Sequence, residues 1–121
     1  MRRFIPETLE NDMTNETVTA PQGFVAAGLA SGVKMSGKPD LGLLACPTGA
    51  TAAAVFTTNK ITSAAVQVSR EHIQNRKTYA VVVNSGNANA CTGKLGLANA
   101  RKMCALIAKH LGVEFRGVLV A

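Results

Sequence analysis

Apolar and polar positions alternate along this chain in a sequence of distinct rhythms. Residues 1–16, MRRFIPETLENDMTNE, are polar, mixed in charge and aperiodic, and read as a flexible extension of about seventeen residues. Phe24–Lys34 (FVAAGLASGVK) and Leu41–Asn59 (LGLLACPTGATAAAVFTTN) are apolar runs broken by Gly and Pro, the pattern of strands joined by turns. Ser36–Asp40 lies between them as a hairpin-like loop. In SAAVQVSREHI, Ala64, Val66 and Val68 alternate with Ala65, Gln67 and Ser69, which predicts a half-buried strand. Lys77–Asn84 (KTYAVVVN) is a continuous β-branched run and predicts a central strand covered on both faces. Leu97, Ala100, Cys104, Ile107, Ala108 and Leu111 then recur at helical spacing, which predicts a helix over 95–111. Gly112 follows as its C′ residue, and Lys109 and His110 suit the negative end of the helix dipole. Val118–Ala121 opens another strand.

Composition narrows the class. The chain has 121 residues, 47% apolar, 17% charged and 4% aromatic, with no Trp. No apolar run approaches the roughly 20 residues of a membrane span. Much of the apolar content is Ala and Val, so the core must be built from small side chains packed between close layers, which suits an α/β architecture. With no secretory signal and acids too abundant for a transit peptide, the reading is cytoplasmic.

The net charge of +6 is unevenly placed. Glu7, Glu10, Asp12 and Glu16 crowd the extension, leaving Asp40, Glu71 and Glu114 against the Lys and Arg residues from Lys34 onward. The basic body fits an anionic partner, but its scattered arrangement favours a solvated surface or half of a protein whose other half is acidic. That scatter and the scarcity of aromatics argue against nucleic acid. Cys46, Cys91 and Cys104 form no metal-ligand spacing and read as buried, reduced thiols, with no metal site expected. His72 and His110 each flank a structural element and read as surface or helix-end residues.

The segment VVVNSGNANACTGKLG, Val81–Gly96, concentrates the candidate chemistry. A strand that breaks into Gly and Asn before a helix can aim backbone N–H groups at an anion. The phosphate-loop spacing nevertheless fails. Gly86 and Gly93-Lys94 have six residues between them instead of four, and Leu95 stands where a metal-binding hydroxyl is required. The dinucleotide fingerprint fails too, because its first glycine would fall on Cys91. Thr48, Thr51, Thr57, Thr58, Ser63 and Ser85 lack a neighbouring base pattern, and Gly49–Thr51 reads as a turn in place of a self-cleavage site. Asn84, Ser85, Asn87 and Asn89 remain as candidate substrate-binding residues. Their other reading is that they satisfy backbone groups around a tight turn in which Gly86 supplies a permissive φ.

Several segments resemble the N-terminal part of the ornithine acetyltransferase family, the bifunctional glutamate N-acetyltransferases of arginine biosynthesis. They are TAPQGFVAAGLASGVK (Thr19–Lys34), KPDLGLLAC (Lys38–Cys46), AAVFTTNK (Ala53–Lys60), SREHI (Ser69–Ile73) and VVVNSGNANACTGKLGLANARKMC (Val81–Cys104). The resemblance runs in order and spacing from about Val18 to Ala121, so residues 18–121 read as the N-terminal portion of the α chain, ending inside a strand. It implies an α/β fold of mixed sheet layers with covering helices, shared with the N-terminal-nucleophile-like aminopeptidases.

What the resemblance implies mechanistically is self-cleavage of a precursor into α and β chains. The new N-terminal Thr takes the acetyl group from N-acetylornithine and passes it to glutamate, its own amine serving as base. A Ser-Thr-Gly-Val-Ile-Gly segment supplies the oxyanion donors. Some members also accept acetyl-CoA as a substrate, and no cofactor is implied. That oxyanion segment follows a strand like VLVA, whereas this sequence stops at Ala121. No catalytic residue is therefore carried over, and the chain alone is expected to be inactive. Its expected partner is the C-terminal portion, in an oligomer of αβ units. The alternatives are a fragment of a related self-cleaving aminopeptidase and a non-catalytic binding module that pairs through its last strand.

Overall fold

A computed structural model describes residues 17–121, so the extension expected at the N-terminus lies, apart from Thr17, outside the described residues. Four strands form one sheet in the order β1-β2-β3-β4: Val25–Leu29, Leu41–Ala50, Thr78–Asn84 and Val118–Val120. The β1–β2 and β2–β3 pairs are antiparallel, and β4 lies parallel to β3. Two helices, α1 (Ala64–His72) and α2 (Gly93–Leu111), supply the connections on either side of β3. The α/β class read from the sequence is thus the observed one. Among the described residues no helix is long and apolar enough to cross a membrane.

Register explains which side of the sheet is buried. Ala45 pairs with Ala80 and Leu43 with Val82, while Ala80 and Val82 pair with Val118 and Val120, so all six side chains share one face. Against it pack Ala64 and Val68 of α1 and Ala100, Cys104 and Ala108 of α2. Alanines at these contacts let the helices approach closely, and this accounts for the small-residue composition. The opposite face is not covered by these helices. There Val81 is half-buried and Val83 is 42% exposed, so β3 is central but is not enclosed on both sides as its unbroken apolar run predicts.

Residues 64–72 form a helix where alternation predicts a strand. Ser63 is the N-cap, its Oγ accepting a hydrogen bond from Val66 N at 3.3 Å. The residues driven inward are Ala64, Val68 and His72, each four apart, together with Ser69. Nine residues are too few for an isolated helix to be stable in water, so α1 depends on what it packs against. The second half of the expected strand region also differs: after Ala50, residues 51–59 have no regular structure. α2 follows its prediction, starting two residues earlier and ending at Gly112, whose φ of 67° is the left-handed C-terminal conformation that favours glycine.

The outer edge of β4 is closed by α1. Val120 N donates to Ser69 Oγ at 2.9 Å, and the same hydroxyl donates to Val120 O at 2.6 Å. His72 Nδ1 lies 2.7 Å from Val118 O, an acceptor, so the proton sits on Nδ1. Val118 N donates to Phe115 O. A strand edge normally offers such groups to another chain. Here they are spent on two side chains one helical turn apart and on the preceding 3₁₀ turn, Phe115–Gly117. The alternative of a module pairing through its last strand therefore finds that edge occupied. His72 is also not the surface residue expected of a lone histidine: it is 0% exposed, with its ring edge-on to Phe115 at 4.6 Å. Apolar neighbours on α1 and β4 make that burial favourable, and Nε2 finds no hydrogen-bond partner among the described residues.

Candidate functional site

The segment after β3 ties four elements together. Asn84 N donates to Ala121 O at 3.0 Å, continuing the parallel β3–β4 pairing to its end. Asn84 Nδ2 donates to Asn87 O at 2.8 Å, and Asn87 Oδ1 accepts from Asn89 N at 3.1 Å. Asn89 uses both ends of its amide: Nδ2 donates to Gly96 O at 3.0 Å, and Oδ1 accepts from Thr92 Oγ1 at 2.6 Å. Its carbonyl accepts from Ala64 N at 3.2 Å, at the first residue of α1. The starts of both helices are thereby fixed beside the carboxyl ends of β3 and β4, the place where open α/β sheets form a ligand crevice.

An open groove of about 460 Å³ lies there, with Phe56, Ala65, Met103, Asn84, Asn87 and Asn89 among its lining residues. Ser69, Val120 and Ala121 also face it. Among the described residues none of the lining side chains is ionisable, and the surface is mainly apolar. Phe56 is brought in from the irregular 51–59 segment by Arg70, whose guanidinium donates to Thr57 O at 3.0 Å and lies 5.3 Å from the Phe56 ring centroid.

Of the four sequence candidates, Asn84, Asn87 and Asn89 both bind backbone groups of the turn and line the groove. Ser85 does not line it, and its contribution is its N–H, which donates to Asp40 O at 2.8 Å. The sequence reading missed Phe56, Met103 and Ser69, which reach the groove from a coil and two helices. A four-residue repeat through Ala64, Val68 and His72 was the available signal for α1, and hence for Ser69.

Cys46 and Cys104 are buried as expected, and burial pushes the Cys104 thiol up to about 11. Cys91 is exposed instead, since it sits at φ 58° in the loop that swings outward before α2. Among the described residues no cluster of three or more His, Cys, Asp or Glu side chains could hold a metal ion.

Among the described residues, two carboxylates are held below their usual range. Asp40 is lowered by hydrogen bonds from Lys34 N and from the N–H and hydroxyl of Ser31. Glu71 is lowered by its hydrogen bond from Arg101 at 3.0 Å, with Arg116 3.6 Å away. Both groups favour the fold only while ionised. Their contribution is complete above about pH 5 and is lost as the pH falls through about 4 and lower. An acid titration followed by circular dichroism is expected to show this loss, with a shallower acid limb in Asp40→Asn.

Comparison with known proteins places this architecture. Residues 25–121 match the family model described as the ArgJ family. The chain is 50% identical over 106 residues to an arginine biosynthesis bifunctional protein ArgJ of Bacillus cereus, covering 87% of this chain and 26% of that protein. A protein of the same name from Gloeobacter violaceus is 49% identical over 105 residues, with 86% and 26% coverage. Among solved structures, ArgJ of Bacillus halodurans is similar with a TM-score of 0.82 and 43% identity, over 86% of this chain and 55% of that one. Ornithine acetyltransferase of Mycobacterium tuberculosis, solved in complex with ornithine, gives a TM-score of 0.82 and 38% identity over 86% and 57%. The chain thus spans about a quarter of the length of these curated relatives.

Proposed function

The chain belongs to the ArgJ family, and from that premise we propose that residues 18–121 are the N-terminal portion of a bifunctional ornithine acetyltransferase. The whole enzyme moves an acetyl group from N-acetylornithine to glutamate through an N-terminal Thr released by self-cleavage in the remaining polypeptide. The match over residues 25–121 carries this reading, and the likeness to an ornithine-bound structure supports it. No cofactor is required, and acetyl-CoA is a second acetyl donor.

The groove supports a division of labour. Ornithine and glutamate carry charged ends, whereas a wall of Phe56, Met103 and Ala65 with three asparagines suits the uncharged part of an acylated substrate. Asn84, Asn87 and Asn89 are the substrate-facing residues of this portion, and charged groups are met by residues of the C-terminal portion. The 121 residues alone are inactive, and their partner is that portion, in a cytoplasmic assembly of αβ units.

Co-expression with the polypeptide corresponding to the remaining three quarters of the relatives tests the proposal. Radiolabelled acetyl is expected to move from N-acetylornithine to glutamate in the assembled protein and not in the 121-residue chain by itself. A folded, self-cleaved complex that transfers no acetyl group would overturn the assignment.

A further inference from the structure

Asp40 is the most thoroughly bonded buried acid among the described residues, and it touches none of the groove. It is 3% exposed. Its Oδ1 accepts from Ser31 N at 2.6 Å and from Ser31 Oγ at 2.7 Å, and its Oδ2 accepts from Lys34 N at 2.8 Å. Its own N–H donates to Leu29 O at 3.0 Å, and its carbonyl accepts from Ser85 N at 2.8 Å. Both its side chain and its backbone are therefore spent on the two chain segments that meet at this corner. Burying an ionised carboxylate is costly unless hydrogen-bond donors replace its water, and here three donors do so.

Two connections lead from it to the groove. The first is direct, from the Asp40 carbonyl to Ser85 N. The second runs through the carboxylate, which draws residues 31–34 into a turn. Against that turn sits Gly86, at φ 95°, where a Cβ would come within 2.9 Å of Lys34 Cγ and 3.3 Å of Val33 Cγ1. Residues 85 and 86 link Asn84 to Asn87, two of the groove-lining asparagines. From this arrangement we propose that Asp40 is a positioning residue, whose carboxylate sets the Ser31–Lys34 turn and thereby the placement of the Asn84–Asn89 corner for substrate. The functional half of this statement rests on the groove being the substrate site.

Asp40→Asn isolates the second connection. The backbone carbonyl that holds Ser85 is kept, and so is the side-chain shape, but an amide NH₂ must now face Lys34 N–H or the Ser31 donors. Ser31→Ala is the milder companion, removing one of three donors and leaving the charge. Amide hydrogen exchange of the 121-residue chain, resolved by NMR, reads the placement without reference to catalysis. Exchange at the two bonded amides of the corner, Ser85 and Asn89, is expected to accelerate at least tenfold in Asp40→Asn and about threefold in Ser31→Ala, with amides in the second half of α2 unchanged. Unchanged loop exchange in both variants, or equal acceleration throughout α2, would sink the proposal. If Asp40→Asn does not fold, Ser31→Ala decides by the same criterion.

In the co-expressed enzyme, Asp40→Asn is expected to raise KM for the acetyl donor about tenfold with kcat changed less than threefold. Accelerated loop exchange with unaltered KM would overturn the substrate role of the groove, and with it the functional half of the proposal. The hold of Asp40 on the corner would stand.

Discussion

Replacing His72 by alanine is expected to remove about 4 kcal/mol from the stability of the fold. Two losses add. A fully buried ring that packs edge-on against Phe115 leaves a cavity, and truncations of that size cost about 3–5 kcal/mol in well-packed cores. Val118 O also loses the side-chain partner that His72 supplies, and an unpaired buried acceptor costs about 1–3 kcal/mol. Partial collapse of the site makes the sum smaller than the parts. Against a total of about 5–15 kcal/mol for a domain of this size, the variant sits near the limit of folding. His72→Phe refills the volume and keeps the acceptor unpaired, so it is expected to cost about 1–2 kcal/mol. Urea denaturation of the three proteins, followed by circular dichroism, measures both differences. A loss below about 1 kcal/mol in His72→Ala would show that α1 is not what secures β4.

Gly96→Ala is expected to destabilise by about 3 kcal/mol, with the sign opposite to the ordinary one. In most helix positions alanine is favoured over glycine by about 1 kcal/mol. Here the first turn of α2 is roofed by the bonded pair Thr92 and Asn89. A Cβ at residue 96 would overlap Thr92 Oγ1 and stand 2.5 Å from Asn89 Oδ1. The clasp must open, surrendering the 2.6 Å bond between these side chains and the 3.0 Å bond from Asn89 to Gly96 O, at about 1 kcal/mol each. Displacing the roof adds an overpacking cost of about 1–3 kcal/mol, which outweighs the gain in helix propensity. The midpoint of urea unfolding reads the first effect. In the co-expressed enzyme the same substitution is expected to lower kcat/KM at least tenfold, because Asn89 leaves the groove wall. An alanine variant as stable and as active as the parent would show that the clasp is dispensable.

How much of this was legible in the sequence depended on how local each cause was. α2 could be read because nineteen residues give a periodic stripe several chances to repeat, and Gly112 ends it with a local conformational preference. β3 could be read as a strand from its β-branched run, but not its one-sided burial, since Val81 and Val83 are as apolar as Val82 and only the helices distinguish the faces. α1 was misread because over so few positions Ala65 and Gln67 mimic alternation. The deciding facts, Ser69 and His72 bonding to β4, involve partners 51 and 46 residues away. Asn84, Asn87 and Asn89 stood out by composition, and their turn role is local. Phe56 and Met103 gave no signal, because a long-range fold alone brings them to the same groove.

The closure of β4 by α1 also sets an order of events in folding. A nine-residue helix has little reason to persist before its partner arrives, and Ser69 meets Val120 only across a separation of 51 positions. The β1–β2 hairpin can form early from neighbours in sequence, whereas α1 must wait until β3, α2 and β4 have assembled into their parallel crossover. Docking of α1 is therefore expected to be a late step, so that Ser69→Ala is expected to speed unfolding in stopped-flow urea jumps while leaving the refolding rate nearly unchanged. Until it occurs, β4 presents an open strand edge, and that interval is when this polypeptide is most exposed to intermolecular pairing.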